Sequence, residues 1–317
     1  MDSTIFSILL LDGITNGAVY ALLGLATVLV FSVTRVIFIP QGEFVAYGAL
    51  TLAIFQTGQV PGTVWLLLIM ALLPPAIISL VSLWAAPQNL PLLVQAGLTV
   101  AIVTSFGPLV YRLAYQSLAD ASSLVLLIVS VGVHFAMTGL GLLFFGAEGF
   151  RNPSFWDMRV NLGGLAIKGQ AIIIFMVSLA LIVLLWQFFA RTLHGKALQA
   201  TAVNRLGARL MGISTIGAGQ ATFAMAALIG ALSGLLIGPT TTVFYDSGFL
   251  IGLKGFVAAV MGGLQSYPLA AVGAIFVGLV EAFGSFWASA FKEVIVFTLV
   301  LPILLWRSMA DGHAEEH

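Results

Sequence analysis

The sequence predicts an all-α protein, a polytopic bundle of transmembrane helices with roughly eight to ten membrane segments, some of them short, broken or re-entrant. Hydrophobic residues make up 60% of the 317 residues, charged residues only 8%, and the mean hydropathy is +1.11. A water-soluble surface needs more charge than this to stay dispersed. Apolar runs long enough to cross a bilayer as helices recur along the chain, and the strict alternation typical of a membrane barrel is missing.

The apolar runs set the expected membrane segments. Seven are about 20 residues long, the length that spans a hydrocarbon core, and they lie at 12–33, 64–84, 92–112, 122–145, 170–190, 216–238 and 268–288. Three shorter runs lie at 42–57, 251–264 and 291–306. Ten segments is the upper count, and eight results if short runs are re-entrant. Residues 1–317 are expected to form a single transmembrane domain.

A basic tract predicts the orientation of the bundle. Residues 191–211 contain four of the 12 Lys and Arg residues and no acid, so the positive-inside rule places them in the cytoplasm. The 146–169 loop has mixed charge and is expected on the periplasmic side. The tail from Arg307 is then cytoplasmic. Counting back through ten segments also places the N-terminus inside.

The basic tract contains a helical pattern at 198–213. Apolar residues recur there every four positions, at Leu198, Ala202, Leu206 and Leu210. Two arginines lie on an adjoining face, and a glycine would end the helix. An ordinary positively charged loop is the alternative, but the apolar stripe favours a helix that docks in a groove of a cytoplasmic partner. We therefore interpret 191–215 as a cytoplasmic docking segment, which we also call the coupling segment once the family resemblance below implies that role. Its candidate contact residues are Arg205, Leu206, Arg209, Leu210 and Gly212.

Two short segments combine Gly or Pro with an ionisable residue. One contains Gln41, Gly42 and Glu43 after a proline, and the other contains Lys254 between glycines. Charged groups are costly in lipid, so they line a pathway, hold broken helices in place, or snorkel to the headgroups. The similar strings at 42–46 and 254–258 arise either from an internal duplication or by chance.

Other polar and small residues predict contacts between helices. Glu281 is expected to be buried with an unidentified partner. His134 serves either as a proton relay or, as we favour, as a hydrogen-bonding partner of a neighbouring helix. Glycines at every fourth position predict a close helix-packing face formed by Gly230, Gly234 and Gly238.

The sequence lacks the motifs of nucleotide hydrolysis, nucleophilic catalysis and metal binding. No phosphate-binding loop occurs, so the chain is not expected to hydrolyse nucleotide itself, and no nucleophile elbow suggests an enzyme. There is no cysteine and no helical histidine pair, so neither a metal site nor a resident cofactor is expected. The net charge is zero, which offers no argument for nucleic acid as a partner.

Three stretches resemble the branched-chain amino acid ABC transporter permease family of the LivH type. They are residues 16–22 followed by 38–43, residues 202–213, and residues 254–263 followed by Gly273 and Glu281-Ala282. The resemblance implies a multi-pass permease of the bacterial inner membrane, surrounded by lipid. It implies an importer with a second related permease chain, two cytoplasmic ATPase subunits that use ATP, and a periplasmic solute-binding protein. Residues 198–213 would be the coupling helix, and Gln41, Gly42, Glu43 and Lys254 are our candidates for the translocation pathway.

Because the sequence departs from the family pattern at several positions, it does not decide the identity of the solute. Val203 and Asn204 stand where an acidic residue is usual, and Gln41 stands where a histidine is common. The expected solute is a branched-chain or other amino acid, with urea, a short amide or an aromatic acid as alternatives. A rival interpretation is an ion-coupled secondary transporter that uses Glu43, His134 or Glu281 as its coupling group.

Overall fold

The computed structural model describes residues 3–69, 73–88, 90–162, 165–264 and 266–298, together with Pro302 and Leu305. Over these residues it confirms the all-α class, because the strands are confined to one hairpin, β1 (Arg159–Leu162) with β2 (Leu165–Lys168). The α-helices are α1 (Ser3–Thr34), α2 (Gln41–Gln56), α3 (Gly62–Ile69), α4 (Leu73–Ala85), α5 (Leu92–Val110), α6 (Ser123–Phe145), α7 (Gly169–Arg191), α8 (Leu193–Val203), α9 (Arg205–Leu210), α10 (Thr215–Ile237), α11 (Ser247–Met261) and α12 (Tyr267–Ala288).

Six of the described helical stretches are long and apolar enough to cross a membrane: Thr4–Thr34, Leu92–Leu118, Ser123–Phe145, Gly169–Arg191, Thr215–Ile237 and Tyr267–Thr298. They cover the predicted runs 12–33, 92–112, 122–145, 170–190, 216–238 and 268–288. The run at 64–84 is divided between α3 and α4, and residues 70–72 lie outside the described part of the chain. So do most of residues 299–306 and the tail from Arg307.

The helices differ in how much of their apolar surface the protein itself covers. In α2 every residue except Gln56 is buried. By contrast, α7 exposes Phe175, Leu179 and Trp186 along its length. A helix that is apolar all round belongs either in a core or against lipid, and this fold uses both solutions. The central helices α1, α2 and α10 are therefore wrapped by helices whose outer faces are suited to lipid or a partner chain.

The structure contradicts the expectation that the N-terminus lies on the same side as residues 191–211. The end of α1 lies at the basic tract, where the Arg35 guanidinium donates a hydrogen bond of 3.4 Å to the carbonyl oxygen of Ala202. The other end of α1 carries Asp12, which shares a cavity with Lys168 of the opposite, periplasmic loop. With residues 191–211 inside, α1 therefore starts outside.

The error arises in the stretch 57–91. Gly62 packs against Phe144 near the end of α6. Leu92 packs on a cluster that contains Leu52, and Phe155 of the 146–169 loop packs on the same cluster. The stretch thus starts and finishes on the outer side and adds an even number of crossings. The sequence-based count took one crossing there, which inverted the predicted side of everything before it.

The half-length helices α2 and α11 cross at the centre of the bundle. A methyl group on Gly42 would overlap the carbonyl oxygen of Gly248 and lie 2.7 Å from Cα of Gly252, so the two backbones touch. The similar strings do not coincide there, because residue 42 is the second residue of α2 and residue 254 is the eighth of α11. The crossing therefore places the two strings at different helical positions.

The three glycines spaced four residues apart, two in α10 and one directly after it, all contact neighbouring elements. Gly230 lies against Phe44 and Gly234 against the backbone of Val45, both in α2. Gly238 directly follows α10 and lies against Asn152, whose side-chain amide donates to the carbonyl oxygen of Ala49 at 3.0 Å. The glycine stripe thus seats α2 in the core.

Candidate functional site

A cavity of about 580 Å³ lies at the end of the bundle opposite to the basic tract 191–211. We call it the outer cavity. One wall is a face of α1, where Leu9, Asp12, Asn16 and Tyr20 follow one another at spacings of three and four residues. The other walls come from β2, α10, α11, α12 and the residues after α12. Hydroxyl groups line it as well, from Thr15, Thr240, Thr241, Thr242, Ser247 and Ser285.

The floor of the outer cavity is a buried charge network. The Lys254 ammonium lies 2.5 Å from Oε1 of Glu281 and 3.1 Å from Oε1 of Glu293. The Tyr20 hydroxyl donates to the other oxygen of Glu281 at 2.5 Å. Since Lys254 is only 5% exposed, its charge needs these partners, and snorkelling to the headgroups does not describe it. The network joins α1, α11, α12 and the helical residues after Phe291.

The mouth of the outer cavity carries a second pair of opposite charges. Asp12 of α1 and Lys168 of β2 are both exposed, and they are close enough to interact electrostatically. Eight residues of helix separate Asp12 from Tyr20, so the mouth lies about 12 Å from the floor. The cavity therefore offers charges at two depths.

The remaining pathway candidates lie away from this cavity, at the crossing of α2 and α11. The Gln41 amide donates to the carbonyl oxygen of Ala226 at 2.9 Å. Glu43 is fully buried, with Oε1 2.9 Å from Nδ1 of His134 on α6. The favoured interpretation of His134, a hydrogen bond to a neighbouring helix, agrees with this contact. The four candidates thus form two groups, with Lys254 in the cavity wall and residues 41–43 in the packed crossing.

The coupling segment forms two helices where a single amphipathic helix over 198–213 was expected. Asn204 has an extended backbone between α8 and α9, and its side-chain oxygen accepts a hydrogen bond of 2.8 Å from the Gly207 amide. Asparagine favours such a helix-capping position, and this cap breaks the helix. Gly212 follows α9 with φ of +81°, a conformation that suits glycine. We call residues 192–212 the docking elbow.

The break also splits the predicted apolar stripe between two environments. Leu198 of α8 is buried against Leu29 and Val33 of α1. Leu206 and Leu210 of α9 point away from the protein and are 68% and 80% exposed. Val203 and Met211 are exposed beside them. The helix α8 is thus anchored to the bundle, while α9 presents an apolar face to the cytoplasm.

The two arginines of α9 hold the docking elbow in place. The Arg205 guanidinium donates to the carbonyl oxygen of Ala119 at 2.6 Å, and the Arg209 guanidinium donates to the Thr215 hydroxyl at 3.0 Å. Both guanidinium groups lie within 4 Å of the Asp120 carboxylate. Their contacts therefore brace α9 against the loop between α5 and α6.

Sequence reasoning missed Asp12, Tyr20, Lys168 and Glu293 as site residues. Asp12 had a usable signal, since it is the only acidic residue in the first apolar run. Tyr20 and Glu293 had none, because each acquires its role through contacts between distant parts of the chain. Among the residues that the structure describes, no group of three or more His, Asp or Glu residues is arranged to hold a metal ion.

Comparison with known proteins gives a match over nearly the whole chain. The family model described as "Branched-chain amino acid transport system / permease component" matches residues 9–305. The high-affinity branched-chain amino acid transport system permease protein BraD of Pseudomonas aeruginosa is 28% identical, over 94% of this chain and 92% of its own. The corresponding protein LivH of Escherichia coli strain K12 is 28% identical, over 93% and 91%. A solved structure, PsaBC from Streptococcus pneumoniae in complex with Fab, is 13% identical with a TM-score of 0.44, over 93% of this chain and 88% of that chain.

Proposed function

This chain belongs to the family of branched-chain amino acid transport permease components, and from this premise we propose that it is the membrane subunit of an ATP-driven importer. The family is one of transport permeases and not of enzymes. Its relatives are permease proteins of high-affinity branched-chain amino acid transport systems. We propose a branched-chain amino acid, or a similarly small polar solute, as the cargo. The multi-pass bundle lies in the bacterial inner membrane.

The proposed assembly contains a second related permease chain, two cytoplasmic ATPase subunits and a periplasmic solute-binding protein. ATP is bound and hydrolysed by the ATPase subunits, and this chain contributes no cofactor of its own. The binding protein delivers the solute at the outer cavity. The proposed route then runs beside the charge network at Lys254 and beside the packed crossing that contains Gln41, Gly42 and Glu43. Membrane lipid surrounds the exposed faces of the bundle.

One observation carries the proposal that separate ATPase subunits drive this permease, namely the exposed apolar face of α9. Leu206 and Leu210 are exposed on α9, which Arg205 and Arg209 hold against the rest of the chain through hydrogen bonds to Ala119 and Thr215. Exposed apolar groups at the cytoplasmic surface are stabilised by a partner that covers them. Because α8 is anchored on α1, a push on α9 reaches the bundle through packed side chains.

The docking role predicts a clear effect of charge on the α9 face. Leu206→Asp combined with Leu210→Asp places two carboxylates where an apolar groove is expected, so the ATPase subunits should no longer co-purify with the permease. Arg205→Glu combined with Arg209→Glu should give the same loss, because it releases the brace to Asp120. A matched control is Leu193→Asp, on an exposed position at the start of α8. Normal co-purification of the Leu206/Leu210 variant would contradict docking through α9.

Transport itself separates this proposal from the ion-coupled alternative. Proteoliposomes containing both permease chains, the ATPases and the binding protein should accumulate leucine only when ATP is supplied inside. Uptake by this chain without an ATPase, driven by a proton or sodium gradient, would refute the importer and favour coupling through Glu43, His134 or Glu281.

A further inference from the structure

We propose that the mouth of the outer cavity is a transient binding site for the zwitterionic head of an α-amino acid. In this site Lys168 binds the carboxylate and Asp12 binds the ammonium group. The inference rests on the proposed function and deepens it, because it assigns two recognition residues of this chain to the head group of the proposed solute.

The first argument is the placement of the two charges. Asp12 lies on α1 and Lys168 on β2, so the carboxylate and the ammonium face one cavity from two different elements. They interact electrostatically, yet no ion pair within 4.0 Å joins them in the part of the chain that the structure describes. A zwitterion bound between them would offer each group a partner of opposite charge for a charged hydrogen bond.

The second argument is the charge balance of the whole cavity. Three carboxylates, from Asp12, Glu281 and Glu293, stand against three ammonium groups, from Lys168, Lys254 and Lys292. A solute with a net charge therefore gains no overall attraction from the lining. A zwitterion gains locally at the mouth, because its two charges match the polarity of the Asp12 and Lys168 pair.

The third argument concerns the space beside the charges. Leu9, Leu250, Ile251 and Phe286 supply apolar wall in the same cavity. An aliphatic side chain can lie against this wall while the head group stays at the mouth. The lysine at the floor is already held by Glu281 and Glu293, so the floor does not compete for the carboxylate.

Location supports a site that the solute meets on arrival. The 32 residues of α1 measure about 48 Å as a helix, whereas the hydrocarbon core is about 30 Å thick. The early residues of α1 therefore extend to the outer boundary of the hydrocarbon core, and Asp12 lies near that boundary. Exposed charges bind weakly enough to release the solute inward, as a transport pathway requires.

The test uses the full-length permease in lipid nanodiscs and saturation-transfer NMR with three probes. L-leucine has both head-group charges, L-leucinamide lacks the carboxylate, and 4-methylvalerate lacks the ammonium group. Asp12→Asn and Lys168→Met should each weaken leucine binding by about tenfold. Lys168→Met should leave leucinamide binding unchanged, and Asp12→Asn should leave 4-methylvalerate binding unchanged. Arg112→Met, at an exposed position that follows α5 on the side of the bundle away from the cavity, is the control.

The pattern of losses decides the inference. Equal leucine binding by the wild type and both variants overturns it, and so does a wild type without saturable leucine binding. Weaker docking of the unliganded binding protein to the variants, with leucine binding intact, also overturns it and assigns the pair to protein docking. Failure of the proposed function is seen separately, as wild-type proteoliposomes with all subunits that show no ATP-driven uptake.

Discussion

At the residue scale, Lys254 shows how this bundle accommodates a charge in its interior. Its ammonium group has two carboxylate neighbours, and the Tyr20 hydroxyl satisfies a further oxygen of Glu281. Removing one partner from a buried ion pair leaves the other charge without compensation, which costs more than removing both. The network is therefore expected to behave as a unit.

Lys254→Met should lower the stability of the solubilised permease by about 3–5 kcal/mol, because Glu281 and Glu293 lose their cation. The double variant Lys254→Met with Glu281→Gln should regain part of that loss. Thermal unfolding followed by tryptophan fluorescence measures both. Lys196→Met is the matched control, since Lys196 is exposed on α8. A melting temperature of the single variant equal to wild type would mean that the network contributes nothing.

At the scale of elements, the contact of α2 with α11 has no room for a side chain. A Cβ on Gly42 would overlap the carbonyl oxygen of Gly248. That oxygen is a backbone atom, so it cannot rotate away as a flexible side chain could. Helices of half length satisfy their backbone hydrogen bonds internally but depend on such contacts for position. The crossing thus sets how α2 and α11 sit relative to one another.

Gly42→Ala should separate α2 from α11 and reduce both thermal stability and transport. The matched control is Gly139→Ala in α6, where a Cβ meets nothing within 4 Å. That control should be neutral or stabilising by up to about 1 kcal/mol, because alanine is the better helix former. If the two variants melted at the same temperature as wild type, the close crossing would not be important for the fold.

At the scale of the whole molecule, the topology follows from one chain of contacts. Arg35 reaches the docking elbow at one end of α1, and Asp12 faces Lys168 at the other. The bundle therefore has an outer surface with the cavity and an inner surface with α8 and α9. Solute entry and the proposed coupling therefore lie on opposite sides of the bundle.

The outside N-terminus can be tested directly, because the sequence contains no cysteine. A single cysteine at Thr4 should react with a membrane-impermeant maleimide added to right-side-out vesicles. A single cysteine at Lys196 should react only after the vesicles are inverted or permeabilised. Labelling of the Thr4 variant only from the inside would restore the sequence-based count and overturn the assignment of the outer cavity to the periplasmic side.

The sequence by itself determined the helical membrane class and the position of most long helices, and its basic tract predicts the cytoplasmic side. These features depend on local quantities, namely the hydrophobicity of a 20-residue window and the charge of a loop, which no distant contact has to supply. Gly230 and Gly234 were identified for the same reason, because a fourth-residue spacing defines one face of any helix. Burial of Glu281 followed from the cost of a charge in lipid.

The tertiary structure alone decided which residues meet. Lys254 is 27 residues from Glu281 and 39 from Glu293, and no periodicity links these positions. Asp12 and Lys168 share a cavity only because α1 lies beside β2 in the folded chain. The side of the N-terminus depended on whether residues 57–91 return to the face where they start. Such pairings are set by packing between helices, and a sequence window that reports hydrophobicity contains no information about them.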